Sequence, residues 1–269
     1  MTRKLRDVPG YLFLGIWTVF SLFPLYFMVV GATNTSQDVL ASRLIPGGQL
    51  FTNLAHLLGA QDVGRAMLSS FLIAAGTTVL ALFICSIAGY GFEVYHSKGK
   101  DVLMGVLLLA MMIPFAATMI PLFQVFAKLG MVNSLFAVII PAISTPLLIL
   151  LFRQSSRAFP SEILEAARVD GLNEISIYAR IYLPTMRATF AAAGVITFMT
   201  AWNNYLWPRV ILIKNEVQTM PMLIVNLSAG YVTDYGMLML AVLLASLPTV
   251  IVFLLLQRSF ANGITGAIK

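Results

Sequence analysis

Charge is what this chain of 269 residues has least of: Asp, Glu, Lys and Arg together make up 10% of it, against 59% hydrophobic residues. Soluble domains carry about 25% charged residues. At a mean hydropathy of +0.89 the chain is far too apolar for water and reads as an integral membrane protein. Cysteine is nearly absent. The lone Cys85 excludes an internal disulfide and a multi-cysteine metal site, and inside an apolar run it reads as packing. Of two histidines, His56 and His96, neither has neighbouring ligand-type residues in a metal pattern, so surface or packing roles are favoured over a metal. No Ser/His/Asp set, phosphate-cradling glycine loop or carboxylate pair stands out, so no catalytic residue is assigned. The net charge of +6 comes from basic residues that flank apolar runs without interleaved aromatics, which argues against nucleic acid as a partner.

What is present in abundance is long apolar sequence. A hydrocarbon core about 30 Å thick takes about 20 apolar residues in a helix, and six windows free of Asp, Glu, Lys and Arg qualify: 11–31, 66–90, 102–124, 134–152, 189–207 and 237–256. They are continuous rather than alternating, which predicts helices and not a barrel. The fold class expected is therefore an all-α integral membrane protein of six transmembrane helices forming one domain over 1–269. Arg3, Lys4 and Arg6 ahead of the first run resemble the start of a secretory signal. The run exceeds an ordinary signal core and no small-x-small cleavage site follows, so it is read as a retained anchor. With the N-terminus inside, twelve of the seventeen Lys and Arg residues fall on one side, while Arg43, Arg65, Lys128, Arg209 and Lys214 fall on the other. The positive-inside rule then places both termini and the central polar segment in the cytoplasm.

That polar segment, 153–188 between the fourth and fifth runs, has the local grammar of two short helices joined by a turn. Ser161 after Pro160 is a candidate N-cap, with Glu162 suiting the helix dipole. Leu164, Glu165, Ala166, Ala167 and Arg168 are strong helix formers, and Gly171 supplies the left-handed residue that ends a helix. Asn173 is placed to cap a second helix ending before Pro184. A loop resting on the bilayer interface and a docking knob, with small alanines for close approach and Glu165, Arg168 and Asp170 around them, both stay open on these residues alone.

The spacing Glu165-Ala166-Ala167, Gly171, then Ile181, Leu183 and Pro184 resembles the signature of permease subunits of binding-protein-dependent ABC importers. Wider features point to the carbohydrate branch, and especially to the smaller permease of maltose-type systems: Asp170 beside Gly171, the segment Trp202-Asn203 with Tyr205-Leu206-Trp207-Pro208, and the tail at 262–269. Ala188, where many relatives carry proline, departs from the pattern. The resemblance implies that the helix carrying Glu165 to Gly171 docks on a separate cytoplasmic ATPase and moves as a lever between inward-facing and outward-facing states. Glu165 is then expected to make a polar contact, Ala166 and Ala167 close packing, Gly171 the turn and Leu172 an apolar contact, with Asp170 beside them. Asn262, Gly263, Gly266 and Lys269, in a cytoplasmic tail at 257–269, are expected to form a second ATPase contact.

The resemblance further implies a second homologous permease, two ATPase subunits that hold ATP and Mg2+ while this chain holds no cofactor, an extracytoplasmic sugar-binding protein, and a bacterial or archaeal inner membrane. Asn203, Asn204 and Thr200 are candidates to line the pathway, because polar side chains inside a membrane face protein or water. Gln124, Ser144, Thr145, Thr197 and Ser246 are weaker ones. Trp202 and Trp207 are read as interfacial belt residues, and 217–233 as an external loop with an interfacial helix. A polyol or glycerol phosphate is the alternative cargo. An ion-driven secondary transporter is the alternative class, disfavoured by spans without ionisable residues.

Overall fold

A computed structural model describes residues 8–230 and 232–266, and every regular element among them is helical. Three helices are each long and apolar enough to cross a membrane: α1 (Val8–Ala32), α4 (Val63–Val94) and α14 (Tyr235–Gly266). Three bent helix pairs bring the number of spans to as many as six if each pair is one span: α5 (Lys98–Ala110) with α6 (Phe115–Lys128), at 96°; α7 (Leu135–Ile139, extended by a 3-10 turn to Ala142) with α8 (Pro146–Arg157), at 46°; and α10 (Glu174–Thr185) with α11 (Arg187–Trp202), at 78°. The six expected runs are largely helical, but the third and fourth are broken within their length, and the helix of the fifth begins at Arg187, just past a bend, and ends at Trp202.

Proline accounts for two of the breaks. Pro114 has ψ 132°, outside the helical range, and starts α6. Pro146 opens α8 and forces the preceding Thr145 into the extended region, at φ −108° and ψ 126°. Freed backbone groups are expensive in lipid, and the breaks satisfy many of them locally. Met111, Met112 and Ile113 donate to the carbonyls of Leu108, Leu109 and Ala110 at 3.0–3.2 Å. The buried Cys85 thiol lies 3.6 Å from the Ile143 carbonyl and 3.9 Å from that of Thr145, against the break before α8.

The chain divides into two compact units, 1–64 with 220–247 and 65–219 with 248–269. In the first, α2 (Ser36–Leu40), α3 (Leu50–Ala60) and α13 (Met220–Ser228) accompany α1 and the start of α14. Its polar centre is Asn53, buried, whose amide donates to the carbonyls of Ala32 at 2.9 Å and Asn34 at 3.0 Å. Asp234 caps α14 by accepting from the Met237 amide at 3.1 Å and from the Ser36 hydroxyl at 2.8 Å. The expected 217–233 segment therefore contains a helix of nine residues, Met220–Ser228. Over residues 10–26 α1 is apolar and exposed on every side, while Val30 and Ala32 at its end are buried, as befits a helix that meets lipid or another chain along most of its length.

The second unit holds α4 against α8 and α11. Ala81, Cys85, Met104, Leu148, Ile149, Phe152 and Ala193 form its core. Its tightest crossing is at Gly89, where a Cβ would lie 2.5 Å from Phe152 Cβ and 2.8 Å from the Arg153 amide nitrogen. Small residues at crossings let membrane helices approach closely. Helix α14 continues through Gly266, so the backbone around Asn262 and Gly263 is helical. Lys269 lies outside the described residues.

Gly89→Ala is expected to push α4 off α8 and lower stability by about 1–3 kcal/mol, the usual cost of overpacking. Gly91→Ala, which would meet nothing within 4 Å, is the control. Thermal unfolding of both variants in detergent checks this, and equal midpoints would remove the close crossing from the account.

Candidate functional site

The hairpin made by α9 (Ser161–Val169) and α10 is the first site. Pro160, not Ser161, occupies the N-cap position, with no side-chain cap bond. A proline there costs nothing, since the N–H it lacks has no partner in the first turn. At the other end Gly171 sits at φ +80°. Its amide donates to the Arg168 carbonyl at 3.0 Å, and that of Leu172 to the Ala167 carbonyl at 3.0 Å. This pair of bonds is a Schellman closure, completed by Leu172 packing on the cluster that contains Ala167. Asn173 then caps α10, its Oδ1 accepting from the Ser176 amide at 2.8 Å.

Between Tyr178 and Tyr182 α10 widens into a π-helical stretch, and the helix ends at Thr185, one residue beyond Pro184 rather than before it. The two tyrosine rings stack at 5.4 Å. Tyr178 Oη lies 2.6 Å from Ser86 Oγ on α4, and Tyr182 Oη lies 2.8 Å from Ser156 Oγ on α8. Tyr90, Phe159, Leu164, Ala167, Ile177 and Met186 complete an apolar seat beneath the hairpin. The hairpin is thus fastened to two membrane helices by aromatic packing and by two hydroxyl pairs.

The seat sorts the residues singled out in the sequence. Ala167 faces inward and is buried in the protein's own core, whereas Glu165, Ala166, Asp170 and Gly171 are exposed. Two apolar side chains not flagged by the sequence reading stand at the turn: Val169 is 88% exposed and Ile175 80%. Arg168 Nε donates to Glu174 Oε1 at 2.8 Å, tying the two helices of the hairpin together. That carboxylate, helped by Tyr95, pushes the Arg168 guanidinium above its already high ordinary value despite the opposing cost of desolvation.

The second site is a groove of about 570 Å³ between α4, α7, α8 and α11. Its wall is mostly apolar, with Thr77, Thr145, Gln154, Thr197, Thr200 and Asn204 as its polar groups and no charged residue lining it. Thr200 and Asn204, two of the residues proposed from sequence to line a pathway, line this groove. Asn203 does not: its amide turns back to the Met199 carbonyl at 2.9 Å. Thr77 and Gln154 were missed because a single threonine or glutamine in an apolar run carries no periodic signal. The belt reading of the tryptophans is corrected. Trp207 is buried, with Nε1 donating to the Ala137 carbonyl at 2.9 Å, and Trp202 is buried with its ring stacked on Phe198. The short helix α12 (Leu206–Ile211) folds back on α6 and α7 and takes Trp207 inside.

Residues 81–266 match the family of inner membrane components of binding-protein-dependent transport systems. The chain belongs to this family. Among relatives, the permease is 42% identical over 269 residues to the lactose transport system permease protein LacG of Rhizobium radiobacter, covering 100% of this chain and 98% of that one. It is 33% identical to the arabinooligosaccharides transport system permease protein AraQ of Bacillus subtilis, covering 96% and 94%. It is 31% identical to the sn-glycerol-3-phosphate transport system permease protein UgpE of Pectobacterium atrosepticum, covering 99% of each. A solved bacterial ABC transporter involved in the import of the acidic polysaccharide alginate superposes on 97% of the permease with a TM-score of 0.81 at 20% identity, covering 98% of that chain. This establishes a shared fold. The permease is accordingly an integral inner membrane protein.

Gly171→Val places a β-branched residue at positive φ, where it is expected to cost about 1–2 kcal/mol and to open the Schellman closure. Limited proteolysis checks it: new cleavage confined to the α9–α10 turn is expected, and an unchanged digestion pattern would count against a strained turn.

Proposed function

We propose that the permease forms half of the translocation pathway of an ATP-driven importer of a neutral sugar or oligosaccharide, and that the α9–α10 hairpin couples it to a separate ATPase. The observation that carries this reading is the hairpin itself, rigidly seated beneath and exposed above. A hairpin closed at its turn by the Gly171 Schellman bonds and the Asn173 cap, and bolted through Tyr178 and Tyr182 to α4 and α8, transmits displacement instead of absorbing it. Val169 and Ile175, apolar and almost bare at the tip, lose hydration on docking into a partner's cleft, with Glu165, Ala166 and Asp170 around them. Ala167 supports this surface from below.

For the cargo, the groove offers hydroxyl and amide groups and no charge. Neutral donors and acceptors suit a polyhydroxylated solute, whereas a glycerol phosphate is better held by a fixed cation. The lactose and arabinooligosaccharide relatives support the same choice. The excess of Lys and Arg on one side supports cytoplasmic termini and a cytoplasmic hairpin. The bare apolar surface of α1 and the open side of the groove support a second, homologous permease. A binding protein outside and two ATPase subunits inside complete the proposed assembly, with ATP and Mg2+ held by the ATPase. The helical backbone at Asn262, Gly263 and Gly266 extends α14 toward that same side.

Affinity purification of the permease from its native membrane in mild detergent is expected to recover an ATPase, a second permease and a binding protein, with ATP turnover raised by a neutral sugar. Val169→Asp should lower ATPase recovery about tenfold, a loss typical of one interface residue near 1.4 kcal/mol, with the permease still in the membrane. Recovery of a homomer without an ATPase, or turnover raised only by a phosphorylated solute, would overturn the corresponding half of the proposal.

A further inference from the structure

Among the described residues, one cation lies where a cation is costly. Arg153, the eighth residue of α8, is 5% exposed in its side chain. A buried guanidinium is retained only where its donors are met, and those of Arg153 reach two different elements. Nε donates to Glu93 Oε2 at 3.2 Å, at the end of α4, and Nη2 makes a short bond to Asp101 Oδ1, in the first turn of α5. The partners are 60 and 52 residues away in sequence. Each carboxylate is itself held from its other side. Arg157, one turn further along α8, donates from Nε to both Glu93 oxygens at 3.2 Å, and His96 Nε2 lies 2.9 Å from Asp101 Oδ2.

The backbone around this cluster is equally constrained. Gly89 brings α4 against the Phe152–Arg153 peptide. Lys100 closes the α4–α5 turn by donating to the carbonyls of Gly91 at 2.9 Å and Tyr95 at 2.6 Å. The end of α8 runs through Phe159 and Pro160 straight into α9, and Phe159 is part of the seat under the hairpin. One planar fork therefore joins α4, α5 and α8 at the point where α8 hands over to the proposed coupling helix.

We infer that Arg153 is a positioning residue for energy coupling: its bidentate bridge to Glu93 and Asp101 makes the α4–α5 turn and α8 one rigid body, so that displacement of α9 reaches the helices that line the groove. The inference rests on the proposed coupling role of the hairpin and adds a route inward from it. The groove is walled by α4, α7, α8 and α11, and α4 and α8 are two of the three helices that the fork joins. Without it, α9 still binds its ATPase and the tyrosine–serine pairs still reach α4 and α8, but the α4–α5 turn is no longer held to α8 through Asp101 and less of the displacement reaches the groove.

The test uses the whole transporter in proteoliposomes, with sugar uptake and ATP turnover measured together. Arg153→Met, which keeps the length and removes charge and fork, is expected to leave ATPase co-purification and basal turnover in place. Sugar carried per ATP should fall about tenfold, within the range of coupling energies carried by such networks. Arg153→Lys, a charged group without the fork, should recover part of the ratio. A wild-type ratio in Arg153→Met overturns the inference, as does a parallel fall of uptake and turnover with the ratio intact, since that marks a structural role alone. If Arg153→Met does not accumulate, Asp101→Asn takes its place, because the Asp101 side chain is 45% exposed and tolerates the change: a wild-type ratio there overturns the inference and a reduced one supports it. Absence of an ATPase from the wild-type complex would sink the coupling role itself, which separates the two failures.

Discussion

The aromatic seat under the hairpin is the interaction on which the rest of the second unit depends. Tyr90, Phe159, Tyr178 and Tyr182 come from separate stretches of α4, the α8–α9 junction and α10, and their rings meet at 4.8–6.2 Å. The buried Tyr182 and the half-buried Tyr178 need partners for their hydroxyls, and the serines that supply them lie on α8 and α4. Apolar packing and hydroxyl pairing thus select the same placement of α10. The π-helical stretch belongs to this solution. An i to i+5 turn shifts the angular position of the residues beyond it, and here it occurs within the stretch that presents Tyr178 and Tyr182 to different neighbours.

The bent crossings answer a constraint of a different kind. A proline inside a span removes a donor and disfavours helix in the residue before it, so some local closure is obligatory in lipid. The break between α5 and α6 closes with short-range backbone bonds. That between α7 and α8 sets a buried thiol, a weak donor, against two carbonyls. Both of these breaks lie beside the groove, which Met111 and Thr145 line. Irregular backbone in lipid is tolerated where protein or a cavity covers it; the Thr145 break lies against the buried Cys85 and the groove, whereas Met111, Met112 and Ile113 are exposed and meet their backbone bonds locally.

Much of this was legible in the residues. Absence of charge gives the helical membrane class, and the left-handed Gly171, the Asn173 cap and the two short helices are local features that a few residues determine. The long-range features were not legible. Ala166 and Ala167 are indistinguishable by composition, yet one is bare and the other is core, because only the seat fixes which face of α9 is turned inward. Trp202 and Trp207 look like belt residues until α12 folds back and a carbonyl 70 residues away takes the Trp207 N–H. Ser161 has the right chemistry for an N-cap, but Pro160 already ends the extended backbone there. Arg153 sits beside a run of polar residues and reads as a loop cation. Its two carboxylates are 60 and 52 residues distant, and no local pattern announces them.

The two proposed surfaces ask opposite things of the same helices. A pathway must open and close, so its walls need weak, neutral contacts that exchange readily with water and a hydroxylated solute. The groove has them, in threonine hydroxyls and side-chain amides on a mostly apolar wall. A lever must not yield, so its attachments need directional contacts that fail together. These lie at the hairpin end of α4 and α8, in the tyrosine–serine pairs and the Arg153 fork. Placing stiff contacts at one end of a helix and slippery ones further along makes it pivot rather than bend. Interchanging the two sets would leave the same fold with a charged groove and a compliant hairpin, poorly suited to carrying a neutral solute by a stroke delivered from outside the chain.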